Sequence, residues 1–350
     1  MPGRDIIVVG ASAGGVEALT ALVAGLPPDL PAAVFVVLHL PAEGRSMLPA
    51  ILGRVGPLPA VHPREEEQLV HGRIYVAPPD HHLIVHRGTV RLARGPRENL
   101  HRPSIDVLFR TAARAYGPRV VGVVLSGTLD DGTAGLLSIK SRGGVAIVQD
   151  PDEALFAAMP ASARDHVEVD YCVPVAQIGQ VLATLAQEPV VEERAPAASQ
   201  EMEMESDMAE LQVSALHDDD RPGRVSGFSC PECHGVLWEL QDGELLRFRC
   251  RVGHALSVDT LLAEQSAELD AALWAALRAL EEQAALTRRL ADRGRERGRT
   301  ALAARFQERA EQAQNRATLI RQVMFPDAVC ETTVVVTSGA VPCWSPLGSV

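Results

Sequence analysis

Three short segments carry side chains that could together perform acyl transfer. The first is Gly10-Ala11-Ser12-Ala13-Gly14-Gly15, directly after the apolar run Ile6 to Val9. Gly10, Ser12 and Gly14 have the G-x-S-x-G spacing. It suits a tight strand-to-helix turn, because small neighbours let the serine hydroxyl stand clear. A helix starting there would aim its free N–H groups at the place where an oxyanion forms. The same residues also suit a serine that caps the helix, or a glycine-rich phosphate cradle. The second segment, Val37-Leu38-His39-Leu40-Pro41, puts a histidine at the end of an apolar run, where open parallel sheets bind ligands. On its own, His39 also fits a hydrogen-bonded core histidine. The third, Ser126-Gly127-Thr128-Leu129-Asp130-Asp131-Gly132, offers an acid after the run Val120 to Leu125. Alone, Asp131 also fits a helix cap. Together the three supply what an activated serine needs: a base for its proton and a carboxylate to fix the base's tautomer.

Chain order narrows the choices. An α/β hydrolase runs Ser, acid, His, whereas this chain runs Ser12, His39, Asp131. The Gly10–Gly15 loop is not G-x-G-x-x-G, and the second run ends on His39 rather than on the acid expected at a ribose. That weakens a dinucleotide site. Nucleotide binding at the loop stays open as a third reading, tested by calorimetry.

A separate constellation lies in the second half. Cys230-Pro-Glu-Cys233 and Cys250-Arg-Val-Gly-His254 are separated by sixteen residues, the form C-x₂-C…C-x₃-H. Two thiolates on one knuckle and a second pair complete a tetrahedron around one ion. Val236 to Trp238 and Leu245 to Phe248 flank Asp242-Gly243 as a hairpin. The module resembles a zinc ribbon. Four protein ligands leave no open position, so the expected role is a structural zinc that supplies much of the module's folding energy. Arg247, Arg249 and Arg251 make one face basic and able to grip an acidic partner, the acidic segment upstream included. Cys172, Cys330 and Cys343 are isolated and expected to be inert.

These residues need a scaffold. The runs Ile6–Val9, Ala33–Leu38, Ile74–Val76, Val120–Leu125 and Val145–Val148 are continuous rather than alternating, as in strands covered on both faces. Helical patterns between them (Val16–Leu26, Ile105–Ala115, Thr133–Ser141) predict a doubly wound parallel α/β sheet over residues 4–188. Gly72 to Leu92, with a turn at His86-Arg87-Gly88, is expected to be an inserted hairpin. Residues 189–226 are acidic with few core formers, and are expected to be a flexible linker with a transient helix over Met208–Leu216. Residues 227–256 are the metal module. Over 257–325, Leu262, Leu269, Leu273, Leu277 and Leu280, then Leu302, Phe306, Ala313, Ile320 and Val323, predict a helical hairpin or short coiled coil with that stripe as its seam. Residues 326–350 are expected to be poorly ordered. The chain has 350 residues, 47% of them hydrophobic, and a net charge of −12. That charge argues against nucleic acid and against anionic membrane surfaces as partners. No apolar run reaches the roughly 18–20 residues of a membrane span. The expected location is the cytoplasm, with no membrane insertion.

Ile-Val-Val-Gly-Ala-Ser-Ala-Gly-Gly-Val-Glu-Ala-Leu, Leu-His39-Leu-Pro, Gly72-Arg-Ile-Tyr-Val-Ala-Pro-Pro, Arg102-Pro-Ser-Ile-Asp106-Val-Leu-Phe and Ser126-Gly-Thr-Leu-Asp-Asp131-Gly resemble the catalytic domain of the chemotaxis protein-glutamate methylesterases, the CheB family. The resemblance continues through Gly143-Gly144, Gln149-Asp150 and Ala158-Met159-Pro160, covering nearly all of 4–188. It implies hydrolysis of glutamate methyl esters on a methylated receptor-like signalling protein, often with glutamine deamidation, and no cofactor for catalysis. It implies Ser12 as nucleophile, His39 as base and Asp131 as acid, the acid immediately preceding the glycine. Ala13 and Gly14 are the expected oxyanion donors, with Thr128 and Arg102 near the substrate and His101 and Ser104 lining its groove. Three departures stand out. The family's usual N-terminal receiver domain has no counterpart before the first strand, so phosphorylation in cis is not expected to regulate it. Ser126-Gly127-Thr128 replaces the usual Thr-Gly-Met. The C-terminal half is additional, and its helices are expected to bind a protein partner. A contrasting reading makes the chain a catalytically weak signalling adaptor acting through the zinc module and those helices.

Overall fold

The computed structural model describes residues 3–191, 196–211 and 223–325. The chain divides into two compact units, Met1–Ala263 and Glu264–Val350.

In the first unit, strand β1 (Ile6–Ala11) is wholly buried. Its residues alternate between two cores. Ile7, Val9 and Ala11 face helices α1 (Gly15–Ala24), α2 (Leu48–Val55) and α6 (Val175–Leu185). Ile6 and Val8 face α3 (Ile105–Tyr116), α4 (Thr133–Ser141) and α5 (Ala158–His166). A strand buried on both faces has to be apolar at every position, which is why the runs are continuous. Seven parallel strands form the sheet, in the order β10-β9-β8-β1-β2-β5-β3. Besides β1 they are β2 (Ala33–Leu38), β3 (Ala60–Val61), β5 (Arg73–Val76), β8 (Val120–Val124), β9 (Val145–Gln149) and β10 (Tyr171–Val173). Strand β1 sits between β2 and β8, so the chain leaves it in opposite directions on either side. Such a switch point opens a crevice at the carboxyl edge.

Within the stretch expected to be an inserted hairpin, Arg73–Val76 belongs to the parallel sheet. Only β6 (His82–His86) and β7 (Thr89–Ala93) form the hairpin, extended by β4 (Glu67–Gln68).

The acidic segment departs from expectation. Over residues 200–209 it is not a flexible spacer but helix α7 (Gln200–Ala209), begun by Ser199, whose hydroxyl accepts the Met202 N–H. Glu205 is buried and accepts from Arg247 and Arg249 at 2.8–3.2 Å. Arg110 of α3 lies 3.6 Å away. Three guanidinium groups overcome the cost of burying that carboxylate. The basic face of the metal module thus grips the acidic segment. Of the helix expected at Met208–Leu216, the part from 212 onward lies outside the described residues.

The metal module is a four-stranded antiparallel sheet, β11 (Arg224–Ser229), β12 (Val236–Asp242), β13 (Leu245–Cys250) and β14 (Ala255–Ser257). Helix α8 (Val258–Glu296) follows β14 directly.

The second unit holds most of α8 and helix α9 (Thr300–Met324). Its seam differs from the leucine stripe expected. Leu273, Leu277, Leu280, Ala284, Thr287, Ala291 and Gly294 follow the 4-3 repeat of a coiled coil. Ala303, Phe306, Ala310, Ala313, Ala317 and Ile320 repeat it on α9, while Leu269 and Val323 are exposed. Leu262, at the head of α8, is exposed as well. Alanine and glycine let the two axes approach closely, and a Cβ on Gly294 would lie 3.2 Å from Ala303 Cβ. The expected tail, 326–350, lies outside the described residues.

Candidate active site

The loops after β1, β2 and β8 meet at the carboxyl edge of the sheet, bringing Ser12, His39 and Asp131 together. His39 Nδ1 lies 3.1 Å from Ser12 Oγ, and His39 Nε2 lies 2.8 Å from Asp131 Oδ2. An ionised carboxylate only accepts, so Nε2 carries the imidazole proton and Nδ1 presents its lone pair to the serine hydroxyl. The side chains of His39 and Asp131 are 6% and 2% exposed, so water does not compete for this pair.

Close backbone approach sets the serine. Ser12 N–H donates to Ser126 O at 3.0 Å, and Ser126 Oγ donates to Ala13 O at 2.8 Å. Gly14 at φ 70 starts α1, a conformation that disfavours a side chain. Gly127 leaves no room for one either: a Cβ there would lie 2.9 Å from Ser12 Cβ and 2.0 Å from Met159 Sδ. Ala13 and Gly14 stand at the N-terminus of α1, where amides lack intrahelical partners. Thr128 is exposed on the loop that follows Gly127.

Asp131 is held by more than His39. Its Oδ2 also accepts Ile105 N–H at 2.8 Å. Its Oδ1 accepts Asn99 Nδ2, Ser104 Oγ and Asp106 N–H at 3.0, 3.0 and 3.3 Å. Ile105 and Asp106 open α3, so the carboxylate sits on the positive end of a helix. Burial alone would raise its pKa. The hydrogen bond from His39, the His39 and His101 charges and the Ile105 N–H outweigh burial and hold it well below the ordinary carboxylate range. Asp106, beside it, is pushed well up by burial and then by the Asp131 charge. Burial and the shared contacts thus drive the two neighbouring acids apart, Asp131 toward the ionised form and Asp106 toward the protonated one. Asp130 turns away, accepting from Ser257 Oγ at 2.6 Å.

His101 stacks on His39 with ring centroids 3.5 Å apart. Burial and the neighbouring His39 charge lower its pKa to about 4, so it stays neutral near pH 7. Arg102 lines a cavity of about 400 Å³ beside His39 with Leu40, Pro41, Arg97, Leu100 and His101. Its guanidinium is committed to Asp80 at 2.7–2.8 Å and to Gly95 O at 2.7 Å, which makes it part of the wall. Ser104 does not line the groove: it is fully buried against Asp131. Asn99, Ser104 and Asp106 are supports of the acid that sequence reasoning missed. Asn99 carried no signal, and Asp106 stood in a quoted motif without a role.

In the metal module, Cys230, Cys233, Cys250 and His254 place their ligand atoms within 4.8 Å of one another, close enough to hold one ion. Cys233 Sγ and Cys250 Sγ are 3.6 Å apart, and His254 Nδ1 lies 3.7 and 3.5 Å from the sulfurs of Cys230 and Cys250. A tetrahedral ion with Zn–S of about 2.3 Å and Zn–N of about 2.0 Å has edges of roughly 3.5–3.8 Å. Glu232 Oε2, 3.3 Å from His254 Nε2, fixes the ring with Nδ1 toward the three sulfurs, where an ion would sit.

A serine, a histidine and a carboxylate in hydrogen-bonded series at the carboxyl edge of a parallel sheet form the arrangement used by serine ester hydrolases. Residues 7–182 match the family described as CheB methylesterase, and the chain belongs to that family of carboxylic-ester hydrolases. It is 38% identical over 184 residues to a Leptospira interrogans protein named for protein-glutamate methylesterase/protein-glutamine glutaminase activity, covering 52% of this chain and 95% of the relative. It is 38% identical over 181 residues to the Anaeromyxobacter dehalogenans protein-glutamate methylesterase/protein-glutamine glutaminase 2, covering 52% of this chain and 53% of the relative. Against that second relative the chain spans about half the length. The crystal structure of the Thermotoga maritima CheB methylesterase catalytic domain superposes with a TM-score of 0.50 at 31% identity, covering 52% of this chain and 98% of that one. Among the described residues, no helix is long and apolar enough to cross a membrane.

Proposed function

We propose that the protein hydrolyses glutamate methyl esters on a receptor-like signalling protein, with Ser12 as nucleophile, His39 as base and Asp131 as the group that orients the base. The observation that supports this best is the series Ser12 Oγ–His39 Nδ1 and His39 Nε2–Asp131 Oδ2, at 3.1 and 2.8 Å, within a methylesterase-family domain. His39 Nδ1 takes the hydroxyl proton as Ser12 Oγ attacks the ester carbonyl. The N–H groups of Ala13 and Gly14 stabilise the oxyanion. The methoxide leaves as methanol, carrying the proton from His39, and a glutamyl–Ser12 ester remains. Water gives a proton to His39 Nδ1 and attacks that ester, and Ser12 Oγ leaves with the proton returned by His39 as the glutamate is released. With a glutamine substrate the leaving group is ammonia and the later steps are the same. Zinc held by Cys230, Cys233, Cys250 and His254 would stabilise the C-terminal sheet and stand outside this chemistry.

A fluorophosphonate tests the nucleophile independently of substrate. Ser12 Oγ displaces fluoride and forms a P–O bond. Peptide mass analysis is expected to place one label on Ser12, and Asp131→Asn to slow labelling steeply. Labelling elsewhere, with Ser12 untouched, would overturn the assignment.

A further inference from the structure

Three consecutive residues, Asn99, Leu100 and His101, face three different parts of the molecule. Asn99 Nδ2 donates to Asp131 Oδ1 and to Asp106 Oδ2, both at 3.0 Å. Leu100 packs into the core of the metal module, formed by Cys230, Leu237, Phe248, Cys250, Leu256 and Leu261. His101 stacks on His39. Asn99 and Leu100 have φ of 50 and 67, conformations that a leucine adopts only when its surroundings impose them. They are the two central residues of a turn closed by Glu98 and His101, whose N–H groups donate to each other's carbonyls at 3.3 and 3.0 Å, and strand β14 lies against that turn. Asn99 N–H donates to Ala255 O at 2.8 Å, Asn99 Oδ1 accepts Ser257 N–H at 2.9 Å, and Ala255 N–H donates to Arg97 O at 3.3 Å. The adjacent Glu98 accepts from Arg249 of β13 at 2.9 Å.

The orientation of the Asn99 amide follows from its partners. Ser257 N–H can only donate, so it faces Oδ1. That turns both Nδ2 hydrogens toward the two acids. A flipped amide would put its oxygen against two carboxyl groups and its NH₂ against an N–H. The C-terminal module therefore decides which end of Asn99 reaches Asp131.

We infer that Asn99 is a positioning residue for the hydrolytic centre and that the metal-binding module holds it there, so that turnover depends on that module being docked. The inference rests on the triad assignment above. Asn99 touches no substrate. It fixes the Asp131 carboxylate, which fixes His39, while the same loop lays His101 on the imidazole. The path from Ser257 N–H to the Asp131 carboxylate passes through this single side chain.

The test uses full-length protein with Asn99→Ala, Ser257→Pro and both together. Proline removes the N–H that grips Asn99 Oδ1. Each single variant is expected to lower kcat roughly 10- to 100-fold, the worth of a hydrogen bond to a buried charge, with KM little changed. The double variant is expected to be slower than Asn99→Ala by clearly less than the Ser257→Pro loss, because both changes break the Asn99 contact and proline alone also removes the Ser257 hydroxyl from Asp130. The low-field proton resonance of the His39–Asp131 hydrogen bond should shift in both single variants. Zinc content measured by mass spectrometry should stay at the native value in Asn99→Ala. Native kcat and an unmoved resonance in Asn99→Ala would overturn the inference, as would additive losses in the double variant. The Asn99→Ala result stands whether or not Ser257→Pro folds. Ser12→Ala separates the two layers. If it still turns over, the triad assignment fails. If it is inactive while Asn99→Ala is native-like, only the positioning role fails.

Discussion

Replacing Asp131 by asparagine adds two donors at a place where every neighbour already donates. Oδ2 receives His39 Nε2–H and Ile105 N–H, and Oδ1 receives Asn99 Nδ2, Ser104 Oγ and Asp106 N–H. An amide has a single acceptor, so one of these two sets must face an NH₂. If it faces Asn99, Ser104 and Asp106, the Ser104 hydroxyl can turn to accept, leaving two donors unpaired. If it faces His39 and Ile105, the imidazole can accept by moving its proton to Nδ1, leaving only Ile105 N–H unpaired. Each buried unpaired donor costs about 1–3 kcal/mol, so the second arrangement is favoured by about that amount. It carries the wrong tautomer, because Nδ1–H then faces Ser12 and cannot take its proton. In the Asp131→Asn variant kcat is expected to fall by a factor on the order of 10⁴, with KM nearly unchanged. Stability should fall by about 1–3 kcal/mol from the one orphaned amide. Methanol release measures the first effect, urea unfolding the second and ¹⁵N chemical shifts the tautomer. A kcat within about 10-fold of native, or an imidazole still protonated on Nε2, would refute the reasoning.

Three further outcomes are expected. Gly127→Ala pushes a methyl group into Met159 Sδ and Ser12 Cβ, at 2.0 and 2.9 Å, and displaces the nucleophile. Its kcat should drop about 10²-fold or more, and a native rate would show that the turn relaxes freely. Burial holds His82 and His101 at about 4 instead of 6.5, so their contributions to stability are complete above pH 6.5 and lost as pH falls toward 4. Asp130, raised by burial from 3.8 to about 6, works the opposite way: its contribution is complete below 3.8 and lost as pH rises through 6. Asp106, also raised by burial, adds to the Asp130 effect, so the clean reading is a difference between variants: removing His82 removes a slope of about 1.4 kcal/mol per pH unit whatever the acids contribute. Urea titrations should show His82→Gln losing less stability than native as pH falls from about 6 toward about 4.5; equal slopes would contradict the assignment. Finally, native mass spectrometry should find one zinc per chain, removable by chelator with a fall in melting temperature and absent from Cys250→Ser. A metal-free native chain of unchanged stability would contradict a structural metal.

The sheet was legible because β1, β2, β8 and β9 are buried on both faces and therefore written as unbroken apolar runs. Ser12, His39 and Asp131 were legible for the same reason: each follows such a run, and a parallel sheet sends all those ends to one edge. The supports of Asp131 were not. Asn99 and Ser104 lie in a loop without periodicity and act through contacts to Asp131, 32 and 27 residues away along the chain. Helix α7 was hidden by composition. An acidic stretch looks unable to build a core until Arg247 and Arg249, 42 and 44 residues later, surround Glu205. The coiled-coil seam was legible in part: Leu273, Leu277, Leu280, Phe306, Ala313 and Ile320 lie in it, while Leu262, Leu269, Leu302 and Val323 are exposed and Ala284, Ala291, Ala303, Ala310 and Ala317, small enough to bring two helices close, carried no apolar signal.

The central claim is ester hydrolysis through Ser12. It is tested most directly by methanol release from a methyl-esterified receptor cytoplasmic fragment, comparing native protein with Ser12→Ala. The account predicts release by the native protein and its loss, by a factor on the order of 10⁶, in the variant. Equal release by both would contradict the nucleophile. No release by folded, zinc-loaded native protein would contradict the proposed substrate and favour an adaptor role for the chain.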